Sequence, residues 1–245
     1  MKFDKIVGFG DSWMWGDELV DPALILEDPD THPSWTQNIQ YRESHCFLGL
    51  LGNHFGVPTE NLGIPGGSLQ STIWNYLWWL QREPCPQRCL ILVFLTEPDR
   101  HSFYNPAPLR NKSTPDWDCY VHTTWIEYGS STVPEPFRDL GKRFITLTTC
   151  PEQSKLNYLQ TVLFFDGQAS RIGMPLLQFH TTWPESPIPV STIPWPDHNW
   201  ILFFRDHPEN QKRELIHSNG HPNEKGHEII RDMLIPVIDH AILVE

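Results

Sequence analysis

The chain has 245 residues, with 30 acidic against 18 basic side chains and a formal net charge of −12. This length can bury one substantial core, so we expect a single domain over residues 1–245. Non-specific nucleic-acid binding requires Lys and Arg to neutralise phosphates, and an anionic membrane surface repels an acidic protein, so the composition argues against both partners.

Two further features limit the class of protein. The first ten residues are too short and too charged for a secretory signal, and the longest apolar run, Cys89–Leu95, is far below the roughly 20 residues of a membrane helix. We therefore expect no signal peptide and no transmembrane segment. The five cysteines form an odd set without metal or redox spacing, which favours free thiols in a reducing compartment.

Apolar periodicity predicts strands that alternate with helices. Strands are predicted at Phe3–Phe9, Thr59–Leu62, Cys89–Leu95, Pro175–His180 and Trp200–Phe204. Helices are predicted over Trp35–Phe55, after an N-cap at Ser68, over Glu152–Ile172 and after an N-cap at Asn223. In these helices Trp74 and Trp78 are expected in the core, His227 on the surface, and Pro236 at a kink or restart. Alternation of this kind is typical of a parallel sheet with helices on both faces.

Two proline-rich segments interrupt this pattern, at about 101–151 and 181–198, and both are expected to be insertions. The second carries five prolines, which cannot pair centrally in a sheet, so we expect an ordered loop that covers the site. It also carries Trp183 and Trp195, which are candidates for an exposed substrate platform, and a structural hydrophobic plug is the alternative.

Four polar segments follow predicted strands and therefore share the carboxyl edge of the sheet, where open α/β sheets bind ligands. They are Gly10-Asp11-Ser12-Trp13, Asn61–Gly66, Leu95–Arg100 and His221–His227. A serine hydroxyl becomes a strong nucleophile when an imidazole takes its proton, and the resulting oxyanion needs preorganised N–H donors. Ser12 can attack, His221 can take the proton, and the N–H groups of Ser12 and Gly66 can hold the oxyanion.

The order of these segments resembles that of the SGNH (GDSL) hydrolase family, which carries a GDS motif near residue ten and an HPN motif near the C-terminus. This resemblance implies a three-layer α/β/α flavodoxin-like fold, here with a five-stranded parallel sheet, and no cofactor. By motif, Ser12 matches the nucleophile, Gly66 the oxyanion donor of the family's second block, here Asn61–Gly66, and His221 the base. The family cleaves esters or thioesters of lipids, acetylated sugars and small acyl groups.

Two positions depart from the family pattern. Pro98 stands where the family's third block, here Leu95–Arg100, usually supplies an Asn side chain to the oxyanion hole. Ser218 stands three residues before the histidine, where the family usually has its acid. The residue that orients His221 is therefore open among the Ser218 backbone carbonyl, Glu97 and Asp99.

Other residues near these segments are candidates for substrate contact, namely Asp11, Trp13 and Arg100. Arg100 is expected to form an ion pair with Asp99 or Glu97 in preference to binding the oxyanion. His217, His221 and His227 match no compact metal motif, so we expect no metal.

Two hypotheses follow. The first is a carboxylic ester hydrolase that works through an acyl-enzyme, with an acylated carbohydrate, a lipid or a small acyl ester as substrate. The second is a binding or structural module on the same fold that has lost turnover, because the acid and the third-block Asn are missing. Divergent motifs and aromatic loops also resemble phage-encoded relatives, so the expected location is cytoplasmic or virion-associated. The oligomeric state and the host are left open.

Overall fold

The computed structural model describes residues 3–24, 38–98, 100–104, 120–123, 150–180, 192–193, 214–217 and 220–243. The strands are β1 Lys5–Gly10, β2 Thr59–Gly63, β3 Cys89–Leu95, β4 His101–Tyr104, β5 Tyr120–Thr123, β6 Leu176–His180 and β7 Thr192–Ile193. The α-helices are α1 Ser12–Trp15, α2 Ile39–His45, α3 Phe47–Phe55, α4 Leu69–Leu80, α5 Pro151–Ile172 and α6 Glu224–Leu243.

The main sheet is parallel throughout, with the strand order β2-β1-β3-β6-β7. This order and the helices on both faces confirm the predicted α/β fold class. Four strands have five to seven residues, and the edge strand β7 has two. The expected strand Trp200–Phe204 lies outside the described residues. The edge position is taken by β7, which belongs to the segment predicted as a loop, and an edge is where a proline-rich segment can pair.

The strand β3 shows how the sheet separates two cores. Its residues are all buried, and alternate side chains point to opposite faces. One face packs against α3 and α6 through a cluster that includes Leu92, Phe47 and Leu234. The other face packs against α4 and α5 through a cluster that includes Val93 and Tyr158. Continuous apolar sequence is therefore required in β3, because neither face meets water.

Helix α4 corrects one prediction about its aromatic residues. Ser68 caps the helix as predicted, with a reciprocal capping box to Ser71. The face toward the core carries Tyr76 and Trp79, whereas Trp74 and Trp78 are 49% and 39% exposed. The prediction that Trp74 and Trp78 lie in the core is wrong. Residues two positions before and after Tyr76 lie about 200° away around a helix, so they point to solvent.

The structure gives further detail on three other regions. The helix predicted over Trp35–Phe55 is two helices, because Cys46 adopts an extended conformation with φ −68° and ψ 155°. Pro236 lies inside one continuous helix α6 and does not end it. The insertion at about 101–151 contains the antiparallel pair β4 and β5. Among the described residues, every helix is too short or too polar to cross a lipid bilayer.

Candidate active site

Ser12 lies where β1 ends and a short helix begins. Asp11 caps this helix, since its Oδ1 accepts the Trp13 N–H at 3.0 Å. Gly16 ends the helix in the left-handed region with φ 78°, which favours glycine. Ser12 is 6% exposed, at the edge of the sheet where parallel α/β folds bind ligands.

His221 meets Ser12 across this edge. Its Nε2 lies 2.8 Å from the Ser12 Oγ, a distance at which the hydroxyl donates to an unprotonated Nε2. A tight turn holds the histidine: the His217 N–H donates to the His221 carbonyl at 2.8 Å, and the Gly220 N–H to the His217 carbonyl at 3.0 Å. The pair can therefore transfer a proton between a hydroxyl and an imidazole.

Asp11 connects the nucleophile loop to the segment that follows β3. Its Oδ2 accepts the Thr96 hydroxyl at 2.7 Å and an Arg100 Nη1–H at 3.2 Å. The Arg100 Nε–H donates in turn to Glu97 at 3.0 Å, so the expected ion pair with Glu97 is present. Asp11 is 2% exposed and Trp13 is buried with its ring stacked on Phe94. Asp11 and Trp13 therefore contact the surrounding protein framework, and their expected role as substrate contacts stays a prediction.

The segment Asn61–Gly66 packs against the nucleophile helix α1 through Asn61 and Gly63. The Asn61 Nδ2–H donates to the Met14 carbonyl at 2.8 Å, and its Oδ1 accepts the Gly63 N–H at 3.0 Å. A Cβ on Gly63 would lie 2.6 Å from the Trp15 nitrogen, so no side chain fits there. These docking roles were missed from the sequence, where Asn61 was only part of a turn motif. Gly66 lies in the turn after β2 with φ 69°, and its oxyanion role stays a prediction.

Asp17 is a site residue that the sequence reasoning missed. Its Oδ2 lies 3.9 Å from the His221 Nε2, and both side chains are about one quarter exposed. Burial raises the pKa of Asp17, while the charges of His221 and Arg42 act to lower it. No local pattern in the sequence indicates this contact, because it depends on how the turn after α1 meets the turn before α6.

His227 corrects the prediction of a surface histidine. Its ring is fully buried, stacks on Phe47 at 5.8 Å, and accepts the Phe47 N–H on Nδ1 at 3.2 Å. Burial lowers the pKa of His227 to about 3, with a smaller effect from His217 and His221. The first turn of α6 packs against α3, which explains why this position faces inward.

Several predicted site residues cannot be placed. Ser218, Asp99, Trp183 and Trp195 lie outside the described residues, so their roles stay predictions. Pro98 is buried three residues after the end of β3 and has no N–H to donate. The described part of the chain contains no group of three or more His, Cys, Asp or Glu side chains arranged to hold a metal ion.

Comparison with solved structures finds esterases and lipolytic proteins at low identity. A lipolytic protein of the G-D-S-L family from Veillonella parvula is 14% identical over 95% of this chain and 97% of that chain, with a TM-score of 0.39. An alpha/beta hydrolase enzyme from the metagenome of Lake Arreo is 12% identical over 96% and 95%, with a TM-score of 0.48. An acetylxylan esterase from Geobacillus stearothermophilus is 10% identical over 96% and 94%, with a TM-score of 0.43. No protein-family model matches the chain, and a search of curated proteins finds no match.

Proposed function

We propose that this chain is a carboxylic ester hydrolase that works through an acyl-enzyme. The observation that carries the proposal is the 2.8 Å contact between Ser12 Oγ and His221 Nε2 at the carboxyl edge of a parallel sheet. The two residues are 209 positions apart, so the fold has to bring them together. A hydroxyl hydrogen-bonded to an imidazole is the arrangement that activates a serine for attack on a carbonyl.

The first half of the reaction forms the acyl-enzyme. His221 Nε2 takes the Ser12 hydroxyl proton while Oγ bonds to the ester carbonyl carbon, and the carbonyl electrons move onto oxygen. The N–H groups of Ser12 and Gly66 are the proposed donors to that oxyanion. When the oxyanion collapses, the bond to the alcohol oxygen breaks, and Nε2 returns its proton to the departing alcohol.

The second half repeats these steps with water. His221 Nε2 takes a proton from a water molecule as the water oxygen bonds to the acyl carbon. The bond to Ser12 Oγ then breaks, and Oγ recovers the proton from Nε2. The acid is released and both side chains return to their starting state. No step requires a redox change or a cofactor.

The substrate class is proposed as an acylated carbohydrate, with a lipid or small acyl ester as the alternative. The supporting features are the aromatic side chains of the proline-rich insertion, Trp183 and Trp195, since flat sugar faces pack on aromatic rings. The similar structures include an acetylxylan esterase and lipolytic proteins, which correspond to the same two alternatives.

A second candidate function is a binding module without turnover. Buried Pro98 favours it, because a proline at this position supplies neither an amide side chain nor an N–H to an oxyanion hole. A serine at position 218 favours it too, because the chain lacks the acid that the family carries there. A weakened site of this kind would bind an ester without cleaving it.

Hydrolysis of a short activated ester distinguishes the two functions. Ser12→Ala should reduce kcat by several orders of magnitude, on the order of 10⁶-fold where a serine nucleophile has been removed from a protease. Ser44→Ala is the matched control, because Ser44 Oγ also lies 2.9 Å from a histidine nitrogen, in His45, but on an exposed helix. Wild-type turnover in the Ser12 variant would refute the esterase, whereas loss of turnover in both variants would point to unfolding.

A further inference from the structure

The proposed mechanism still needs a negatively charged residue that stabilises His221 when it is protonated. The position that usually supplies it holds Ser218, and the Glu97 carboxylate accepts the Arg100 Nε–H at 3.0 Å. Among the described residues, Asp17 places a carboxylate oxygen 3.9 Å from the His221 Nε2. We propose that Asp17 is the residue that stabilises the protonated His221 during catalysis, by its charge and from the Nε2 side of the ring. This inference rests on the proposed function of Ser12 and His221.

The backbone holds Asp17 beside the nucleophile. The N–H groups of Gly16 and Asp17 both donate to the Ser12 carbonyl at 3.0 Å. A Cβ on Gly16 would lie 2.8 Å from Cys46 Cβ, so the turn fits closely against the buried start of α3. The carboxylate and the nucleophile therefore belong to one short rigid unit, and their spacing does not depend on a distant loop.

The geometry differs from the arrangement in a serine-protease triad. There the acid accepts the Nδ1–H and fixes the tautomer of the imidazole. Asp17 lies near the same nitrogen that contacts Ser12 Oγ at 2.8 Å, so it cannot select the tautomer. It can only favour the imidazolium over the neutral ring through its negative charge, which is a positioning and electrostatic role.

The surroundings of Asp17 determine how much of that charge is present. Burial raises the pKa of Asp17 and Glu18 acts in the same direction, while His221 and Arg42 act to lower it. Arg42 is 2% exposed and its Cζ lies 3.6 Å from the centre of the Trp15 ring. Its Nε and Nη2 have no hydrogen-bond partner within the part of the chain that is described. The charges of Glu43 and, more weakly, Asp17 act on the guanidinium of Arg42. Arg42 thereby helps to keep Asp17 ionised.

Kinetics across pH test this role. Asp17→Asn keeps the shape of the side chain and removes the charge, so kcat should fall about 10- to 100-fold, less than the about 10⁴-fold seen for a triad acid, because the contact is longer and partly solvated. The acid limb of the pH–rate profile should move to lower pH, since a lost carboxylate no longer favours the imidazolium. The other charged groups that act on Asp17 are Glu18, which raises its pKa, and Arg42, which lowers it. The neighbouring buried His227 has a pKa lowered to about 3 and is therefore neutral in this pH range.

Two variants serve as matched controls. Glu18→Gln removes a carboxylate from the neighbouring position. It should leave kcat within about twofold of wild type and the acid limb of the pH–rate profile within about 0.2 pH units. Asp17→Glu restores the charge on a longer side chain, so it should recover part of kcat and return the acid limb toward the wild-type position. A purely structural role of Asp17 would lower kcat without moving the acid limb.

A measurement independent of turnover separates this inference from the proposed function. In a protein with ¹⁵N-labelled histidines, the ring resonances of His221 are identified by their absence in His221→Gln and then titrated in wild type and Asp17→Asn. The titration midpoint of the ring should fall in Asp17→Asn and not in Glu18→Gln. An unchanged midpoint overturns the role of Asp17 whether or not the protein is active. A lowered midpoint in a protein that hydrolyses no ester supports the charge pair while refuting the esterase.

Discussion

Replacing Asp11 by Asn tests whether this residue is scaffold or substrate contact. The Asn side chain keeps the N-cap bond to the Trp13 N–H, because Asn and Asp are equivalent as N-caps. It lacks the charged carboxylate oxygen, Oδ2, that accepts hydrogen bonds from the Thr96 hydroxyl at 2.7 Å and from the Arg100 Nη1–H at 3.2 Å. Hydrogen bonds to charged groups contribute about 1.5–3 kcal/mol each, and the Arg100 side chain is partly exposed, so the expected loss is about 2–4 kcal/mol.

The assay is urea unfolding followed by circular dichroism, with ester kinetics on the same preparations. Asp11→Asn should lower the free energy of unfolding by that amount and reduce kcat, because Ser12 is the next residue. Thr96→Val removes one of the two lost bonds and should lower the free energy of unfolding by about 1–2 kcal/mol. An unchanged free energy of unfolding with a raised KM in Asp11→Asn would refute the scaffold role and restore Asp11 as a substrate contact.

Three further predictions follow from individual contacts. Gly63→Ala should destabilise the fold and reduce activity, because its Cβ would lie 2.6 Å from the Trp15 nitrogen, whereas Gly167→Ala has open space and should be neutral or slightly stabilising in the same unfolding assay. Ser218→Asp should raise kcat on a short ester by adding an acid at the position the family uses; an unchanged kcat, together with a severe loss in Asp99→Asn, would place the acid at Asp99 instead. Burial lowers the pKa of His227 to about 3, so as pH falls the unfolded chain takes up a proton at this residue before the folded protein does. The neutral His227 ring therefore contributes to stability above pH ~6.5, and this contribution is lost as pH falls toward 3. Between pH 6.5 and 5 this loss is about 1.6 kcal/mol, and His227→Asn should flatten that part of the pH dependence of unfolding, while an unchanged dependence would contradict the buried neutral ring.

The parts of the fold that follow from local pattern were predictable. The strand over Cys89–Leu95 has the bounds that its apolar run predicted, and Ser68 caps α4 through bonds to residues three positions away. Both features depend on neighbouring residues in the chain. Helix α4 shows where apolar periodicity is not sufficient. Because this helix is apolar on several sides, periodicity alone did not distinguish Tyr76, which is buried, from Trp74, which is exposed.

The candidate site also has a part that could be predicted from the sequence and a part that could not. The segments that carry Ser12 and His221 could be placed at one edge of the sheet, because each follows a predicted strand. The 3.9 Å approach of Asp17 to His221 could not, because it depends on how the turn after α1 meets the turn before α6. The candidates from the sequence were the Ser218 backbone carbonyl, Glu97 and Asp99, and Asp17 in the nucleophile loop was not among them. The buried His227 was missed for a similar reason, since its partner Phe47 is 180 residues away.

The most direct test of the central claim is covalent labelling with a fluorophosphonate probe, with the adduct located by mass spectrometry of peptides. A serine activated by a histidine attacks the phosphorus and keeps the phosphonyl group, whereas an ordinary serine does not react. We predict one adduct, on Ser12, that is absent in Ser12→Ala and in His221→Gln and unaffected in Ser44→Ala. An adduct on another residue, or no adduct across neutral pH in a folded protein, would contradict the assignment of Ser12 and His221 as a catalytic pair.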